Sequence, residues 1–234
     1  MPELLEIEDL FVSYPDGAEA IRGASLAMGA GSRVGLIGPN GAGKTSLLLA
    51  ILRGVESRGR IVVDGVELGR RTADEVRSRC GMTFQNPDDQ LFMPTLLDDA
   101  AFGPLNQGCD AGTAQARARE AIAAVGLEGI EERSAHHLSG GQKRGAALAT
   151  ILSMRVKLLL LDEPGASLDV RSRRRLTEIL RGRGEAILLA THDLEMVGEL
   201  CERAVLLDEG RIVADGATSQ ILGDAALLRE HGII

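Results

Sequence analysis

Tryptophan is missing from this 234-residue sequence, tyrosine occurs once and phenylalanine four times. The apolar 44% of the chain is therefore almost wholly aliphatic, and that fraction excludes an intrinsically disordered chain. Cysteine is scarce too. Cys80, Cys109 and Cys201 are odd in number, far apart and without a Cys-x-x-Cys pair. That excludes a disulfide framework and a zinc cluster, and points to a reducing compartment. His136, His137, His192 and His231 have no metal-ligand spacing, and the adjacent pair faces two ways on any regular element. No stretch lacking Asp, Glu, Lys and Arg much exceeds about ten residues, against the roughly 20 apolar residues that span a bilayer. The first residues, Met1-Pro2-Glu3-Leu4-Leu5-Glu6, lack a basic region, so no signal peptide is expected. A basic surplus is also lacking: 26 Lys and Arg face 34 Asp and Glu, a net charge of −8 that disfavours nucleic acid as a partner. These absences leave a soluble cytoplasmic protein of one large or two small domains as the expectation.

Glycine, by contrast, is abundant at 29 residues, and its placement carries the argument. Short apolar runs, Arg33–Ile37, Leu158–Leu161 and Ala186–Ala190, alternate with helical patterns such as Lys44–Leu52. Strands buried on both faces and separated by helices predict an α/β fold with a parallel sheet. Residues 3–28 alternate apolar and polar around Pro15-Asp16-Gly17 and predict an antiparallel flank, while Arg60–Val63 reads as a strand ending in an Asp64-Gly65 turn. Residues 88–154 carry almost no strand signal and hold helices over Thr113–Val125 and Lys143–Met154. The chain therefore reads as one domain: a sheet-bearing part over about 1–87 and 155–234, with a helical subdomain over about 88–154 inserted between them.

Gly38-Pro39-Asn40-Gly41-Ala42-Gly43-Lys44-Thr45 fits G-x-x-x-x-G-K-[ST] at every position, between a predicted strand and a predicted helix. Glycines let the backbone wrap an anion with its amides inward, and the following helix presents its positive end. Lys44 reaches β- and γ-phosphates, and the Thr45 hydroxyl can ligate Mg²⁺, with Ser46 next to it on the helix. Asp162 ends an apolar strand at the carboxyl edge of the sheet, where it can hold Mg²⁺, and Glu163 follows as a candidate general base. His192 stands past the end of another strand, where it is either a structural histidine or a contact to a γ-phosphate. Ser139-Gly140-Gly141-Gln142 precedes the Lys143–Met154 helix as a second anion site, with Ser139 as N-cap. Two half-sites facing different ways are completed by pairing head to tail with a second copy.

With these motifs in place the sequence resembles the ATP-binding-cassette ATPases over essentially its whole length. The matching parts are Tyr14, the loop 38–45, Gln85, the signature 138–142, Asp162-Glu163, Ala166-Ser167-Leu168-Asp169 and His192. The resemblance implies a P-loop NTPase (RecA-like) core and a sandwich dimer, of two copies or of this chain with a paralogue, closing on two ATP. It further implies that Tyr14 stacks on adenine, that Gln85 contacts Mg²⁺ and the attacking water, and that Glu163 is the base. Asp169 would contact the other subunit, and His192 would hold the γ-phosphate. Tyr14 can equally be a packing residue. Gly165 and Gly145 depart from the family's usual residues, and neither removes a catalytic group.

The stretch Gln85–Thr95 with Asp98–Pro104 is similar to the energy-coupling-factor importers, above all their cobalt and nickel branch. Leu91-Phe92-Met93 sets three large apolar groups in a proline-bounded loop, either as core or as a docking surface. The resemblance implies a transmembrane coupling protein and a membrane-embedded substrate-binding component as partners, and a peripheral location on the cytoplasmic membrane face. It leaves Co²⁺, Ni²⁺, biotin or another vitamin as the transported substrate, with a soluble assembly ATPase as the alternative. Past the strand pair Val205–Ala214, residues 218–234 suffice for one or two short helices, so no large C-terminal dimerisation domain is expected.

Overall fold

The computed structural model describes residues 3–234. In chain order the strands are β1 (Glu3–Ser13), β2 (Glu19–Gly29), β3 (Arg33–Ile37), β4 (Ser57–Val63), β5 (Val66–Glu67), β6 (Cys80–Thr83), β7 (Leu158–Asp162), β8 (Ala186–Ala190), β9 (Arg203–Asp208) and β10 (Arg211–Ala217). The α-helices are α1 (Lys44–Ile51), α2 (Ala73–Arg79), α3 (Leu96–Asn106), α4 (Ala111–Ala124), α5 (Gly140–Leu152), α6 (Val170–Arg181), α7 (Leu194–Leu200), α8 (Thr218–Gly223) and α9 (Ala225–Glu230). The described residues divide into two compact units, one of residues 3–80, 157–163 and 184–234, the other of residues 81–156 and 164–183.

In the first unit, β9, β3, β8 and β7 lie side by side in parallel, with β10 antiparallel on β9. Leu158–Leu161 and Ala186–Ala190 are all within 1% of full burial, which accounts for their unbroken apolar sequence. Parallel alignment brings the ends of β3, β7 and β8 to one edge: Leu36 pairs with Ala190, and Ala190 with Asp162. The first unit also carries an antiparallel sheet in the order β2-β1-β4-β5, whose alternating residues Leu5, Ile7, Leu10 and Val12 are buried. Cys80 and Cys201 are buried, and burial pushes both thiols up to about 12, so they stay protonated and inert.

In the second unit, α3 packs on α4 and α5. Ala114, Ala118, Ala121 and Ile122 form the buried stripe of α4 at helical spacing. Two local features differ from the sequence expectation. The signature does not precede its helix. α5 starts at Gly140 rather than Lys143, because Ser139 and Gln142 close a capping box that makes the two glycines its first turn. α3 lies in the stretch expected to be helical but is not one of the two helices placed there: Gly103 and Pro104 break the pattern, yet they fall late in a helix begun by the Thr95 cap. Among the described residues no helix is long and apolar enough to cross a membrane.

Candidate nucleotide site

β3 ends at Ile37 and the chain turns through residues 38–43 into α1. The turn requires glycine at Gly43, which sits at φ 106; a Cβ there would run into the carbonyl oxygen of Ala20. No side chain caps α1, so its first amides point at the loop, as phosphate binding needs. Lys44 is buried and curls back so that Nζ donates to the Gly38 carbonyl at 2.7 Å and to that of Pro39 at 3.1 Å. Burial lowers its pKa, and the charges of Glu163 and Asp162 oppose that shift. The Ala42 carbonyl accepts from the Gly210 amide at 3.0 Å, which ties the loop to the β9–β10 turn.

Thr45 Oγ1 donates to Asp162 Oδ2 at 2.8 Å, so the loop and the end of β7 meet. Asp162 is 2% exposed, and its Oδ1 is buried without a hydrogen-bond partner. Burial raises the pKa of this carboxyl and the charge of Glu163 adds to that, while the Thr45 bond and the charge of Lys44 oppose it. A hydroxyl and a carboxylate with one orphaned oxygen suit a hard, oxygen-seeking cation, so the residues fit Mg²⁺. Among the described residues no group of three or more His, Cys, Asp and Glu could hold a metal ion, so the rest of such a shell would come from other oxygen donors such as water and phosphate.

Glu163 follows at φ 47, a left-handed conformation that costs a side-chain-bearing residue about 1 kcal/mol or more. Its amide donates to the Ala190 carbonyl at 2.8 Å. The carboxylate is held from β8: Oε1 accepts the His192 amide at 3.1 Å, while Oε2 accepts the Thr191 hydroxyl at 2.9 Å and lies 2.9 Å from His192 Nδ1. A neutral imidazole that donates through Nδ1 keeps Nε2 as an acceptor, whereas the imidazolium donates through both. Thr191 escaped the sequence reasoning. Its only signal was a hydroxyl one residue beyond an apolar strand. Tyr14, in the β1–β2 turn, places Oη 3.0 Å from Ser46 Oγ, linking its ring to α1.

The first unit thus gathers Tyr14, the loop 38–45, Ser46, Asp162, Glu163 and His192. Gln85, the signature and Asp169 belong to the second unit. There Gln85 is exposed just past β6. Ser139 Oγ accepts the Gln142 amide at 3.3 Å and Gln142 Oε1 accepts the Ser139 amide at 2.9 Å. Asp169 caps α6 by accepting the Ser172 amide at 2.7 Å, and that bond holds its carboxyl below the usual range. Ser172 Oγ would lie 3.1 Å from a Cβ on Gly141, so the signature turn and the helix that Asp169 begins are in contact. Gly165 accepts from the Leu168 amide in the turn leading to Asp169.

A strand–glycine loop–helix crossing beside a strand-end Asp-Glu, with a helical signature inserted in sequence, defines an ATP-binding-cassette ATPase on a P-loop NTPase core. The chain belongs to the ABC transporter family, whose sequence pattern matches residues 21–166. It is 48% identical, over all of this chain and 97% of the relative, to a protein of Gloeobacter violaceus named only as an ABC transporter ATP-binding protein. It is 40% identical over 98% of this chain and 76% of the relative to the energy-coupling factor transporter ATP-binding protein EcfA of Methanothermobacter thermautotrophicus. The cobalt import ATP-binding protein CbiO of Rhodobacter capsulatus is 39% identical over all of this chain and 85% of its own length. Among solved structures, cbiO1 of Clostridium perfringens, part of the ABC transporter complex cbiONQ, superposes with a TM-score of 0.85 at 30% identity, over 98% of this chain and 94% of that one. The chain is accordingly an ABC-type ATPase that binds ATP and couples its hydrolysis to transport.

Proposed function

We propose that this chain is the ATP-hydrolysing subunit of an energy-coupling-factor importer on the cytoplasmic face of the membrane, and that it powers uptake of a transition-metal ion, Co²⁺ ahead of Ni²⁺. Relatives named EcfA and CbiO support the branch. The observation that carries the reading is the use of aromatics. All four phenylalanines, Phe11, Phe84, Phe92 and Phe102, are exposed. Phe92 and Phe102 stand edge to face with ring centroids 5.1 Å apart, Phe92 being 64% exposed. Leu91, beside them, is buried, so the loop divides between core and surface. The Phe92–Phe102 pair is an exposed apolar surface of the second unit, and an apolar segment of a transmembrane coupling protein is the occupant that suits it.

In this reading ATP closes a head-to-tail dimer and hydrolysis reopens it. Tyr14 backs the adenine, and the amides of residues 38–46 with Lys44 hold the phosphates. Ser139, Gly140, Gly141 and Gln142 reach the γ-phosphate of the opposite subunit's ATP, and Asp169 touches that subunit. Mg²⁺, held by Thr45, Asp162 and Gln85, would offset the phosphate charge. Glu163 takes the proton of the attacking water, oriented by Thr191 and His192, with His192 and Gln85 at the γ-phosphate.

The test is purification of the tagged chain from detergent-solubilised membranes of its own host, with radiolabelled Co²⁺ uptake measured after deletion of its gene. A co-purifying polytopic membrane protein and lost uptake are expected. Full activity without any such protein, with uptake unchanged, contradicts the importer.

A further inference from the structure

Asp99, on α3, is 3% exposed and points its carboxylate at the backbone of the docking loop. Oδ1 accepts the amide of Phe92 at 3.0 Å and that of Met93 at 2.9 Å, while Oδ2 is buried without a hydrogen-bond partner. Burial raises the pKa of this carboxyl, the two amides oppose the shift, and neighbouring Asp98 adds to it. Taken as packing alone, this is a poor arrangement, since a buried carboxylate with one oxygen unsatisfied is worse than an apolar group of the same shape. Its return lies in geometry. Leu91 is buried at one end of the loop. At the other, Thr95 caps α3, with the Asp98 amide donating to Thr95 Oγ1 at 3.1 Å and the Thr95 hydroxyl to Asp98 Oδ2 at 2.7 Å. Between these ends Phe92 carries the most exposed ring of the chain, and the Asp99 bonds fix its amide. Phe102, one helical turn beyond Asp99, supplies the ring against which Phe92 stands.

We propose that Asp99 is a positioning residue for partner docking: its carboxylate, by gripping the Phe92 and Met93 amides, sets where the Phe92 ring is presented. The partner's relevance rests on the docking reading above. The grip itself does not.

With no tryptophan in the chain, Phe92→Trp places a single indole at the loop. Acrylamide quenching and anisotropy are measured on the full chain carrying Asp99, Asp99→Asn or Asp99→Leu, with thermal midpoint and basal ATP hydrolysis recorded for each. Asp99→Leu is expected to raise the quenching constant about twofold or more and to lower anisotropy, because the loop amides lose their acceptor. Asp99→Asn, which keeps one oxygen acceptor, restores both, and basal hydrolysis stays within about twofold throughout. Unchanged quenching in a folded Asp99→Leu chain overturns the proposal. If that variant does not fold, hydrogen exchange in the unmodified chain decides. Phe92 and Met93 amides exchanging about tenfold or more below the free-peptide rate support the grip, and exchange at the free rate overturns it. Phe92→Ser tests the docking reading separately, through lost Co²⁺ uptake with an intact fold, so the two ideas can fail apart.

Discussion

Thr191 Oγ1 donates to Glu163 Oε2 at 2.9 Å and also accepts the Asp193 amide at 3.1 Å, so one fully buried hydroxyl orders both the carboxylate and the turn after β8. Thr191→Val keeps the volume and removes both bonds. Turnover is expected to fall about tenfold, near 1.4 kcal/mol of barrier, with KM for ATP nearly unchanged because the hydroxyl faces the proposed base. Stability falls by about 1–2 kcal/mol as the Asp193 amide loses its acceptor. Steady-state kinetics and thermal melts of Thr191→Val and Thr191→Ser check this. Serine should restore most of both, and an equal kinetic loss in the two variants would contradict the role given to the hydroxyl.

Asp162 links stability to pH with a definite sign. Its folded-state pKa is raised, so the folded chain holds this proton more tightly than the unfolded one. The favourable contribution is full below the ordinary carboxylate range and is lost as pH rises through the raised value, so near neutrality the buried charge is a net cost. Asp162→Asn is therefore expected to raise the melting midpoint at about pH 7 by roughly 2–4 °C, about 1 kcal/mol, with the gain shrinking toward about pH 4. Hydrolysis should fall about 100-fold or more, the loss of roughly 2.7 kcal/mol of barrier stabilisation. Calorimetry at both pH values checks the stability part, and a lower midpoint at neutral pH is the result that would count against it.

Gly145 lies inside α5, where a Cβ would sit 3.5 Å from Leu127 Cδ1 and 3.8 Å from Val125 Cβ, both ordinary contacts. Glycine in a helix interior costs about 1 kcal/mol relative to alanine. Gly145→Ala should raise stability by about 0.5–1 kcal/mol, read as an upward shift of the urea midpoint at unchanged slope. A downward shift would mean that the helix needs the glycine for motion or approach.

The parts legible in the sequence are those where local and tertiary demands coincide. β3 and β8 run over Arg33–Ile37 and Ala186–Ala190 as their apolar runs predict, and α1 follows the glycine loop with its end one residue short of Leu52. The parts that were not legible depend on side chains meeting across the fold. Nothing local announces that Thr191 would reach back to Glu163, 28 residues away in sequence. Leu91 and Phe92 look alike as apolar neighbours, yet Leu91 is buried and Phe92 exposed, and nothing in the local pattern separates them. A Ser139 N-cap and a helix starting at Lys143 are incompatible expectations, and the Ser139–Gln142 box settles them for the cap, with Gly140 as the first helical residue.

In the proposed mechanism Glu163 is the base of ATP hydrolysis, and Glu163→Gln is the substitution that isolates this role. The substitution keeps the shape and removes the proton acceptor. With ATP and Mg²⁺ this variant should bind nucleotide with near-normal affinity, elute as a dimer on size exclusion, and show single-turnover hydrolysis reduced about 100-fold or more. Hydrolysis at the unmodified rate, from a chain that binds ATP normally, would exclude Glu163 as the base.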